Sequence, residues 1–368
     1  MKKKILIICS EDGYKREQFR IELESKTKNI IKVLSGVDII KSEKDQFYLP
    51  KNFNPFNYLY SAYKLKKRIT EFKPDLIHVF DTRSSVNISL LKYLKLISIK
   101  SIRTQNGLGV FSKNSSFLST IPATNFLKRT INFFISYPFE CVVFQNRNDM
   151  RDCTNFFFLK LSKKEIIVGS GVSKGIVKLA NTKNNLAENN YFLFASRILI
   201  NKGILNFIDA AKLAKDIPHL SNFKWFIIGQ FCDNDKNNKF IRKSIDETEN
   251  VFHLGFKENP YPYLLNSRAL ILPSSYGEGF PRIILEAGML KVPILATHSE
   301  YNEGILFDNK NSKLIKNGSS TNILRGIEYI LDIKYKNQIV NYFYSEICKK
   351  YDLSIVIKKY INVYKNLM

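Results

Sequence analysis

The chain has 368 residues, of which 45% are hydrophobic, and this is enough for two ordinary domains with buried cores. Its net charge of +24 restricts the partners to phosphate-bearing substrates, an anionic membrane surface or nucleic acid, unless the lysines only solvate the surface. The five cysteines are scattered without CxxC spacing, which predicts a reducing compartment and no zinc site.

The start of the chain resembles a signal peptide only superficially. Lysines at positions 2 to 4 precede an apolar run, but the run is short and is closed by polar residues after Cys9. We therefore predict a first core strand. The most apolar later stretch, 131–144, is interrupted by polar residues and a proline, and it falls short of the ~20 residues of a membrane span. We expect a cytoplasmic protein.

Short apolar runs and amphipathic stretches alternate through the first half of the chain. We predict strands at 3–9, 30–34, 76–80 and 166–168 and helices at 15–26 and 58–72, with the alternation continuing through 100–104, 126–137 and 142–145. Strands separated by helices pair in parallel. The pattern therefore predicts an open parallel sheet covered on both faces.

A polar, asparagine-rich segment at 179–190 is predicted to be a linker. A second series follows it. Strands are predicted at 191–195, 225–228, 251–254, 270–272 and 292–296, and helices at 204–215, 240–247, about 321–331 and 336–349. We predict an N-terminal domain over 1–178, a C-terminal domain over 191–350 and a last helix within 351–368.

The most informative segment is ALILPSSYGEGFPRIILEAGMLKVPILAT, residues 269–297. A strand ends at Pro273, a loop with Gly277 and Gly279 follows, and Pro281 is predicted to be the first residue of a helix. In such a βαβ unit the helix N-terminus faces the carboxyl edge of the sheet. Its free amides and its dipole attract an anion there.

Two glutamates lie on either side of this helix start, Glu278 in the loop and Glu286 in the helix, with seven residues between them. Carboxylates would repel a diphosphate held by the amides, so they are better placed to accept hydrogen bonds from sugar hydroxyls. The alternative is that Glu286 only pairs with Arg282 at i,i+4. The Gly-Glu-Gly-Phe-Pro context favours a functional role.

In order, the loop, the proline, the helix with Glu-Ala and the Val-Pro strand resemble the Glu-x7-Glu signature of the retaining glycosyltransferase family 4. This is a GT-B group that uses nucleotide sugars. The resemblance implies an α/β protein with two Rossmann-like, doubly wound parallel-sheet domains that face each other across a cleft. It also implies that the last helix, about 353–367, packs back toward the first domain.

Two further segments resemble the family's Gly-Arg and Lys-Gly motifs. Residues 194–197 end a strand and residues 201–203 open the next helix, with Ser196 in place of the usual glycine. The resemblance implies that Arg197 and Lys202 neutralise the departing nucleotide diphosphate, where charge grows in the transition state. The alternative is ordinary surface basicity. The strand-end and helix-start positions favour the functional interpretation.

The N-terminal domain resembles the family less closely. The segments 106–109 and 18–20, Asn-Gly-Leu-Gly and Gln-Phe-Arg, resemble the subgroup that adds N-acetylhexosamines to polyprenyl-diphosphate sugars. Many members have a histidine after the strand that here ends at Phe80, whereas this chain has Asp-Thr-Arg. We expect His78, inside that strand, to be a core histidine. The acceptor candidates are Gly107, Gly109, Arg20, Asp81 and Thr82.

The resemblance thus implies a metal-independent transferase without a cofactor. It would move a hexose or N-acetylhexosamine from a nucleotide sugar, expected to be UDP-linked, to a polyprenyl-diphosphate-linked glycan in O-antigen, capsule or lipopolysaccharide assembly. Lysine-rich helices would hold it on the anionic inner face of the plasma membrane. The implied catalytic residues are Glu278, Arg197 and Lys202, and the implied donor-binding residues are Glu286, Gly279, Phe280, Pro281, Arg282, Gly203, Leu254 and Gly255.

Two other classes of protein stay open. A GT-B sugar-nucleotide epimerase would use the same cleft with water in place of an acceptor. A nucleic-acid-binding protein is suggested by the charge, although no zinc finger, RRM signature or helix-turn-helix pattern accompanies it. The Asp-Asn-Asp at 233–235 has the spacing of an Asp-x-Asp metal site, but it lies in an asparagine- and lysine-rich loop and is interpreted as a solvated turn.

Overall fold

The chain forms two compact units in the computed structural model. The first comprises Met1–Ser170 and Leu353–Met368, and the second comprises Gly171–Gly277 and Pro281–Asp352. The residues that the structure describes are 2–10, 13–37, 45–50, 54–106, 122–156, 159–160, 163–182, 190–232, 235–274, 281–299, 302 and 304–368.

One parallel sheet with helices on both faces makes up the first unit. Its strands are β1 (Lys4–Ser10), β2 (Ile30–Val37), β3 (Gln46–Tyr48), β4 (Leu76–Val79), β5 (Lys100–Gln105), β6 (Cys141–Phe144), β7 (Asn155–Phe156), β8 (Leu159–Lys160) and β9 (Lys164–Ile166). Its helices are α1 (Gly13–Lys26), α2 (Pro55–Phe72), α3 (Thr82–Tyr93), α4 (Pro122–Ser136), α5 (Arg147–Thr154) and, from the end of the chain, α13 (Leu353–Lys365). The order is β3-β2-β1-β4-β5-β6-β9, with β7 and β8 in a separate antiparallel pair. The predicted parallel sheet is confirmed.

Alternate residues of β1 enter two different cores. Leu6 and Ile8 pack in a core with side chains of α2, α3 and α4. Ile5 and Ile7 pack on the opposite face with side chains of α1 and α13, among them Tyr360. A parallel sheet is buried on both faces, and the last helix of the chain supplies much of the second cover.

His78 joins this last helix to the sheet through hydrogen bonds. The side chain is fully buried, with Nδ1 2.6 Å from the hydroxyl of Tyr364 and Nε2 2.7 Å from Oγ1 of Thr104. The interpretation of His78 as a core histidine is confirmed. Both ring nitrogens have partners, as a buried imidazole requires.

The second unit repeats the plan with six strands. They are β10 (Tyr191–Ala195), β11 (Lys224–Ile228), β12 (Val251–His253), β13 (Ala269–Leu272), β14 (Ile294–Thr297) and β15 (Lys313–Ile315). The helices are α6 (Ile176–Ala180), α7 (Ile204–Ala214), α8 (Asn238–Asp246), α9 (Tyr261–Leu265), α10 (Arg282–Met289), α11 (Ser320–Leu331) and α12 (Ile333–Glu346), which continues into a π-helical turn, Ile347–Tyr351. All neighbouring strands are parallel, in the order β12-β11-β10-β13-β14-β15.

Each sheet reverses the direction of its winding once. The reversal lies between β1 and β4 in the first unit and between β10 and β13 in the second. In open α/β sheets, ligands bind outside the carboxyl ends of the two strands at such a point. The strand order alone therefore directs attention to the residues that follow these four strands.

Several element bounds differ from the sequence prediction. The strand predicted at 292–296 is β14, two residues later, and the one predicted at 166–168 is β9, two residues earlier. The edge strands β3 and β15 and the helices α3 and α9 were not predicted. For α3 the reason is that it buries Ser84, Ser85 and Asn87 in place of apolar residues, so it lacks an apolar periodicity.

Candidate functional site

Two basic residues lie beyond the carboxyl end of β10, at the reversal point of the second sheet. Arg197 follows the strand and is exposed. Lys202 ends a 3-10 turn, Ile200–Lys202, which leads through Gly203 into α7. Lys202 is only 2% exposed, so the predicted cationic pair combines one surface charge with one buried ammonium group.

Burial decides the electrostatics of Lys202. Loss of water lowers the pKa of its ammonium group to about 7, the charge of Arg197 acts in the same direction, and Cys232 opposes it weakly. An anion placed beside the group would restore the preference for the charged form. The corner is thus suited to a ligand that brings negative charge.

Three backbone segments meet at this corner, and two of them require glycine. Gly203 has a φ of +77°, and a Cβ at this position would collide with the carbonyl group of Pro273, just beyond β13. A Cβ on Gly318, between β15 and α11, would meet the same carbonyl oxygen. Ser274 donates a hydrogen bond from Oγ to the carbonyl oxygen of Asn201 at 3.2 Å. The loop after β13 therefore begins in close contact with the 3-10 turn after β10.

The predicted base-side residues lie at the same edge of the sheet. Leu254, after β12, donates its backbone N–H to the carbonyl oxygen of Ile227 at 2.9 Å. Gly255 accepts a hydrogen bond from the backbone N–H of Gly229 at 3.2 Å. These bonds align the ends of β11 and β12 with that of β10. They also use the N–H of Leu254 and the carbonyl oxygen of Gly255, two backbone groups of the segment predicted to lie beside a nucleotide base.

The helix α10 begins one residue later than predicted. Pro281 is its N-cap, with an extended ψ of 112°, and Arg282 is the first helical residue. Glycine at position 288 lets the helix pack closely on α12, since a Cβ there would lie 2.7 Å from the ring of Phe343. This contact fixes the axis of α10, and with it the position of the helix N-terminus.

Glu286, in the second turn of α10, is buried and held by two donors. Arg282 donates from Nε to Oε1 at 2.9 Å, and the hydroxyl of Tyr261 donates to the same oxygen at 3.2 Å. The i,i+4 pair weighed as an alternative to a functional Glu286 is therefore formed. Within the described ranges Oε2 has no hydrogen-bond partner, so one oxygen of a 5%-exposed carboxylate is left for a ligand.

Five of the predicted site residues lie outside the residues that the structure describes. They are Glu278, Gly279 and Phe280, which follow β13 in the sequence, and Gly107 and Gly109, which follow β5. Their roles, and the pairing of Glu278 with Glu286, stay predictions. The first two residues of the Asp-Asn-Asp turn at 233–235 lie outside as well.

On the acceptor side, Asp81 and Thr82 lie at the reversal point of the first sheet. Asp81 is the N-cap of α3, with Oδ1 accepting from the N–H of Ser84 at 2.8 Å and Oδ2 from the N–H of Ser10 at 2.7 Å. Thr82 accepts a hydrogen bond from Nη2 of Arg103 at 3.3 Å. Both acceptor candidates are thus held in place by their own structural bonds.

Arg20 differs from the other acceptor candidates because its charge is already balanced on its own helix. Its Nε lies 2.9 Å and 3.0 Å from the two carboxylate oxygens of Glu17, and its guanidinium also pairs with Glu24. These carboxylates raise the pKa of Arg20 above its usual range. A diphosphate would have to compete with them for this side chain.

Two residues near these sites, Arg103 and Tyr261, were not predicted from the sequence. Arg103 of β5 is fully buried, its Nη2 donates to Asn132 at 2.9 Å, and burial lowers its pKa to about 10. Tyr261, the first residue of α9, supports Glu286. A lone arginine beside Thr104 at a strand end could have indicated the first, whereas nothing local distinguishes Tyr261 from the chain's other tyrosines.

Two kinds of feature are absent from the described part of the chain. No group of three or more histidine, cysteine, aspartate or glutamate side chains could hold a metal ion there. No helix there is both long enough and apolar enough to cross a membrane.

The chain is similar in sequence to a group of sugar transferases. Residues 178–345, most of the second unit, match the family model "Glycosyl transferases group 1". An uncharacterized glycosyltransferase of Methanocaldococcus jannaschii is 26% identical over 270 residues. This match covers 70% of the present chain and 65% of the relative, so it spans just under two thirds of the relative's length.

Two solved structures have folds similar to that of the chain over nearly its whole length. The sucrose-phosphate synthase of Thermosynechococcus elongatus superposes with a TM-score of 0.79 at 14% identity, covering 100% of this chain and 99% of that one. The HepE protein of Anabaena, in complex with UDP-glucose, gives a TM-score of 0.76 at 16% identity, with 99% and 100% covered. At such identities the agreement concerns the fold. The predicted GT-B fold, with two parallel-sheet α/β domains, is thereby confirmed.

Proposed function

We propose that this GT-B protein, whose second unit matches the group 1 glycosyl transferases, is a retaining glycosyltransferase. It moves a hexose or N-acetylhexosamine from a nucleotide sugar to a sugar acceptor. The family match and the glycosyltransferase relative support the reaction class. The structural neighbour that binds UDP-glucose supports a UDP-linked donor.

One observation carries the assignment of the donor site. The nearly buried Lys202 lies beside Arg197 at the reversal point between β10 and β13, where the backbones of Gly203 and Pro273 are in close contact. Burial and the neighbouring charge of Arg197 both disfavour the charged form of Lys202. A diphosphate at this corner would offset both effects, and a nucleotide sugar provides one.

The residues act on charge that develops as the donor sugar leaves. The bond from the anomeric carbon to the diphosphate oxygen breaks, and a bond from the acceptor hydroxyl to that carbon forms on the same face. The hydroxyl proton passes to a diphosphate oxygen. Lys202, Arg197 and the backbone N–H groups of residues 279, 280 and 282 stabilise the diphosphate in this proposal, and the step uses neither a protein base nor a metal ion.

Two carboxylates select the donor in this proposal. Oε2 of Glu286, which has no partner among the described residues, accepts a hydrogen bond from a ribose hydroxyl, and Glu278 accepts from hydroxyls of the donor hexose. Arg282 and Pro281 hold the helix start beside the diphosphate, with Phe280 and Gly279 preceding them. Leu254 and Gly255 lie on the side of the base.

The acceptor is proposed to bind the first unit. Asp81 and Thr82 lie at the reversal point of its sheet, and Gly107 and Gly109, which follow β5 in the sequence, are proposed to join them. A polyprenyl-diphosphate-linked glycan of O-antigen, capsule or lipopolysaccharide assembly is the proposed acceptor. Such a lipid would place the enzyme on the inner face of the plasma membrane, where surface lysines add about 1 kcal/mol of attraction each.

The donor site is tested first by ligand screening. UDP-glucose, UDP-N-acetylglucosamine and GDP-mannose are compared for thermal stabilisation of the protein, and at least one UDP-sugar should raise the Tm. Incubation of UDP-N-acetylglucosamine with the protein alone separates a transferase from an epimerase, because only an epimerase changes the sugar without an acceptor. Absence of stabilisation by every nucleotide sugar would contradict the proposal.

Substitutions then test the residues. Glu286→Ala and Lys202→Ala should each cost roughly 2–4 kcal/mol in transition-state binding, which corresponds to about 30- to 900-fold in kcat/KM. Glu328→Ala and Lys243→Ala, on exposed helix faces of the same unit, serve as controls and should leave turnover unchanged. Normal turnover in both site variants would show that the site is assigned wrongly.

A further inference from the structure

Helix α2 has apolar residues on the side that faces solvent as well as on the side that faces the core. Tyr58, Leu65 and Ile69 are among its buried residues. The outer stripe consists of Phe56, Leu59, Tyr60 and Tyr63, at i, i+3, i+4 and i+7, with Phe56 80% and Tyr63 65% exposed. A helix on the surface of a monomer normally carries polar residues on this side.

Neighbouring helices on the same face of the first sheet continue the apolar surface. α2, α3 and α4 lie side by side over one core. On α4 the exposed residues Leu127, Ile131 and Phe134 repeat the i, i+4, i+7 spacing, and Tyr93 at the end of α3 donates from its hydroxyl to the carbonyl oxygen of Phe134 at 2.8 Å. The exposed large apolar residues of this surface are Phe56, Leu59, Tyr60, Tyr63, Tyr93, Leu94, Leu96, Leu127, Ile131, Phe134 and Tyr137.

The area is large for a surface that no other described residue covers. At the ordinary size of aromatic and leucine side chains, the α2 stripe alone exposes on the order of 500 Å². The largest apolar patch of a typical monomer is about 300–600 Å², and here α3 and α4 add to the stripe. An apolar surface of this extent marks a docking site.

The charges around the stripe indicate what docks there. The stripe is followed directly by Lys64, Lys66, Lys67 and Arg68, against one acidic residue of the helix, Glu71. Lys64 lies over the ring of Tyr60, with Nζ 5.3 Å from the centroid. Aromatic and leucine side chains flanked by lysines are typical of helices that lie in the interface of an anionic bilayer. We propose that the outer face of α2, with those of α3 and α4, docks on an anionic lipid surface and inserts its aromatic side chains among the headgroups.

A second copy of the chain fits the same surface less well. Most homodimers are two-fold symmetric, and such an interface would bring together two copies of the same basic helix surface. Like charges brought together in this way oppose association. An anionic bilayer instead complements the lysines while it takes up the apolar residues.

The position of the stripe fits the proposed acceptor. Helices that connect parallel strands start at the carboxyl edge of the sheet, so Phe56 to Tyr63, in the first half of α2, lie toward the edge that carries Asp81. Docking there would bring a lipid-linked diphosphate to that edge. This use rests on the proposed function, whereas the docking itself does not need any sugar.

The experiment measures co-sedimentation of the full chain with phosphatidylcholine vesicles that contain or lack phosphatidylglycerol. The combined variant Phe56→Ser, Leu59→Ser and Tyr63→Ser should lose roughly tenfold or more in partitioning to the anionic vesicles. A matched control replaces one phenylalanine, one leucine and one tyrosine exposed on the second unit. It is the combined variant Phe240→Ser, Leu213→Ser and Tyr329→Ser, which should bind as the unchanged protein does.

Three outcomes would overturn the proposal. The first is equal binding of both triple variants, and the second is complete loss of wild-type binding at high salt, since insertion of apolar residues is not screened. The third is a dimer that sedimentation velocity detects for the unchanged protein and for the control variant but not for the α2 variant. That result would assign the face to a second copy of the chain. Thermal stabilisation of the α2 variant by nucleotide sugar should stay unchanged, so a failure here is distinct from a failure of the proposed transferase activity.

Discussion

The hydroxyl of Tyr261 donates a hydrogen bond 3.2 Å long to Oε1 of Glu286, the oxygen that also accepts from Nε of Arg282. Two donors on one oxygen hold the carboxylate in a single orientation and leave Oε2 open within the described part of the chain. Glu286 belongs to α10 and Tyr261 to α9, so the bond also joins two helices beside the proposed donor site. A carboxylate held in this way can meet a hydroxyl without first losing side-chain freedom.

Tyr261→Phe should therefore weaken donor binding without preventing the reaction. A hydrogen bond to a charged group contributes roughly 1.5–3 kcal/mol, and Arg282 retains part of the orientation, so we expect KM for the donor to rise about three- to tenfold. The kcat should change less. Steady-state kinetics gives KM and kcat, and isothermal titration calorimetry with the nucleotide gives the affinity of the donor site separately.

The control for this variant lies on the same helix. Tyr263→Phe removes a hydroxyl that forms no hydrogen bond among the described residues, and it should leave KM unchanged. Equal effects of the two substitutions, or a fall in Tm that parallels the loss of binding, would show that Tyr261 only stabilises the fold.

Donor binding should depend on pH through Lys202. Its pKa of about 7 in the empty protein lies below the ordinary value for lysine, so raising the pH from 6 to 8 removes most of its charge before ligand arrives. If the bound diphosphate requires the charged form, affinity falls about tenfold over this range and binding takes up a proton at pH 8. Among the described residues, Arg197 lowers the pKa of Lys202 further and Cys232 opposes this effect.

Isothermal titration calorimetry with a UDP-sugar, repeated in buffers of different ionisation enthalpy, measures the number of protons taken up on binding. A UDP-sugar is preferred to UDP because its diphosphate has no terminal phosphate that titrates near neutrality. Lys202→Met should bind more weakly and with a flat pH profile. Wild-type binding that is independent of pH would mean that Lys202 is charged throughout.

The same pKa shift predicts the pH dependence of stability. Between pH 7 and the ordinary lysine pKa, the unfolded chain holds a proton at position 202 that the folded chain has lost. The free energy of unfolding should therefore rise with pH in this window through this group. Denaturant unfolding of the wild type and of Lys202→Met at several pH values isolates the contribution, and an identical slope in both would refute it.

Gly203→Ala tests the close approach at the proposed donor corner. Alanine at a φ of +77° costs roughly 1–2 kcal/mol, and the clash with the carbonyl group of Pro273 adds to this. Gly304→Ala is the matched control, because Gly304 has a φ of +83° and no atom of the described residues lies within 4 Å of an added Cβ. We expect the first variant to lose clearly more unfolding free energy than the second, and to bind nucleotide sugar more weakly. Equal losses would show that backbone conformation alone requires glycine.

Tyr364→Phe tests how the last helix is held on the first unit. The substitution removes the hydrogen bond between the Tyr364 hydroxyl and Nδ1 of His78, and loss of this buried bond should cost roughly 0.5–1.5 kcal/mol of unfolding free energy. The exposed Tyr342→Phe should cost nothing measurable in the same denaturant titration. A neutral effect of Tyr364→Phe would mean that apolar packing alone holds α13.

Residue patterns predicted the architecture because parallel strands and their helices leave strong local signals. The run ILIIC of β1 is apolar on both faces of a buried strand, and its alternation with helices such as α2 indicates a doubly wound sheet. Where a buried face is polar the signal fails, as in α3 with Ser84 and Asn87, and edge strands of three residues such as β15 are too short to register.

Site residues were predicted where they form short contiguous motifs, as Arg197 and Lys202 do. The chain alone thus determined two parallel-sheet domains and the basic and acidic motifs at their strand ends, because these depend on neighbours a few residues apart. Only the tertiary structure decided that Lys202 is buried, that Gly318 meets Pro273 and that Tyr261 holds Glu286. Burial and contacts between distant segments follow from the order in which the strands pair, which no local pattern encodes.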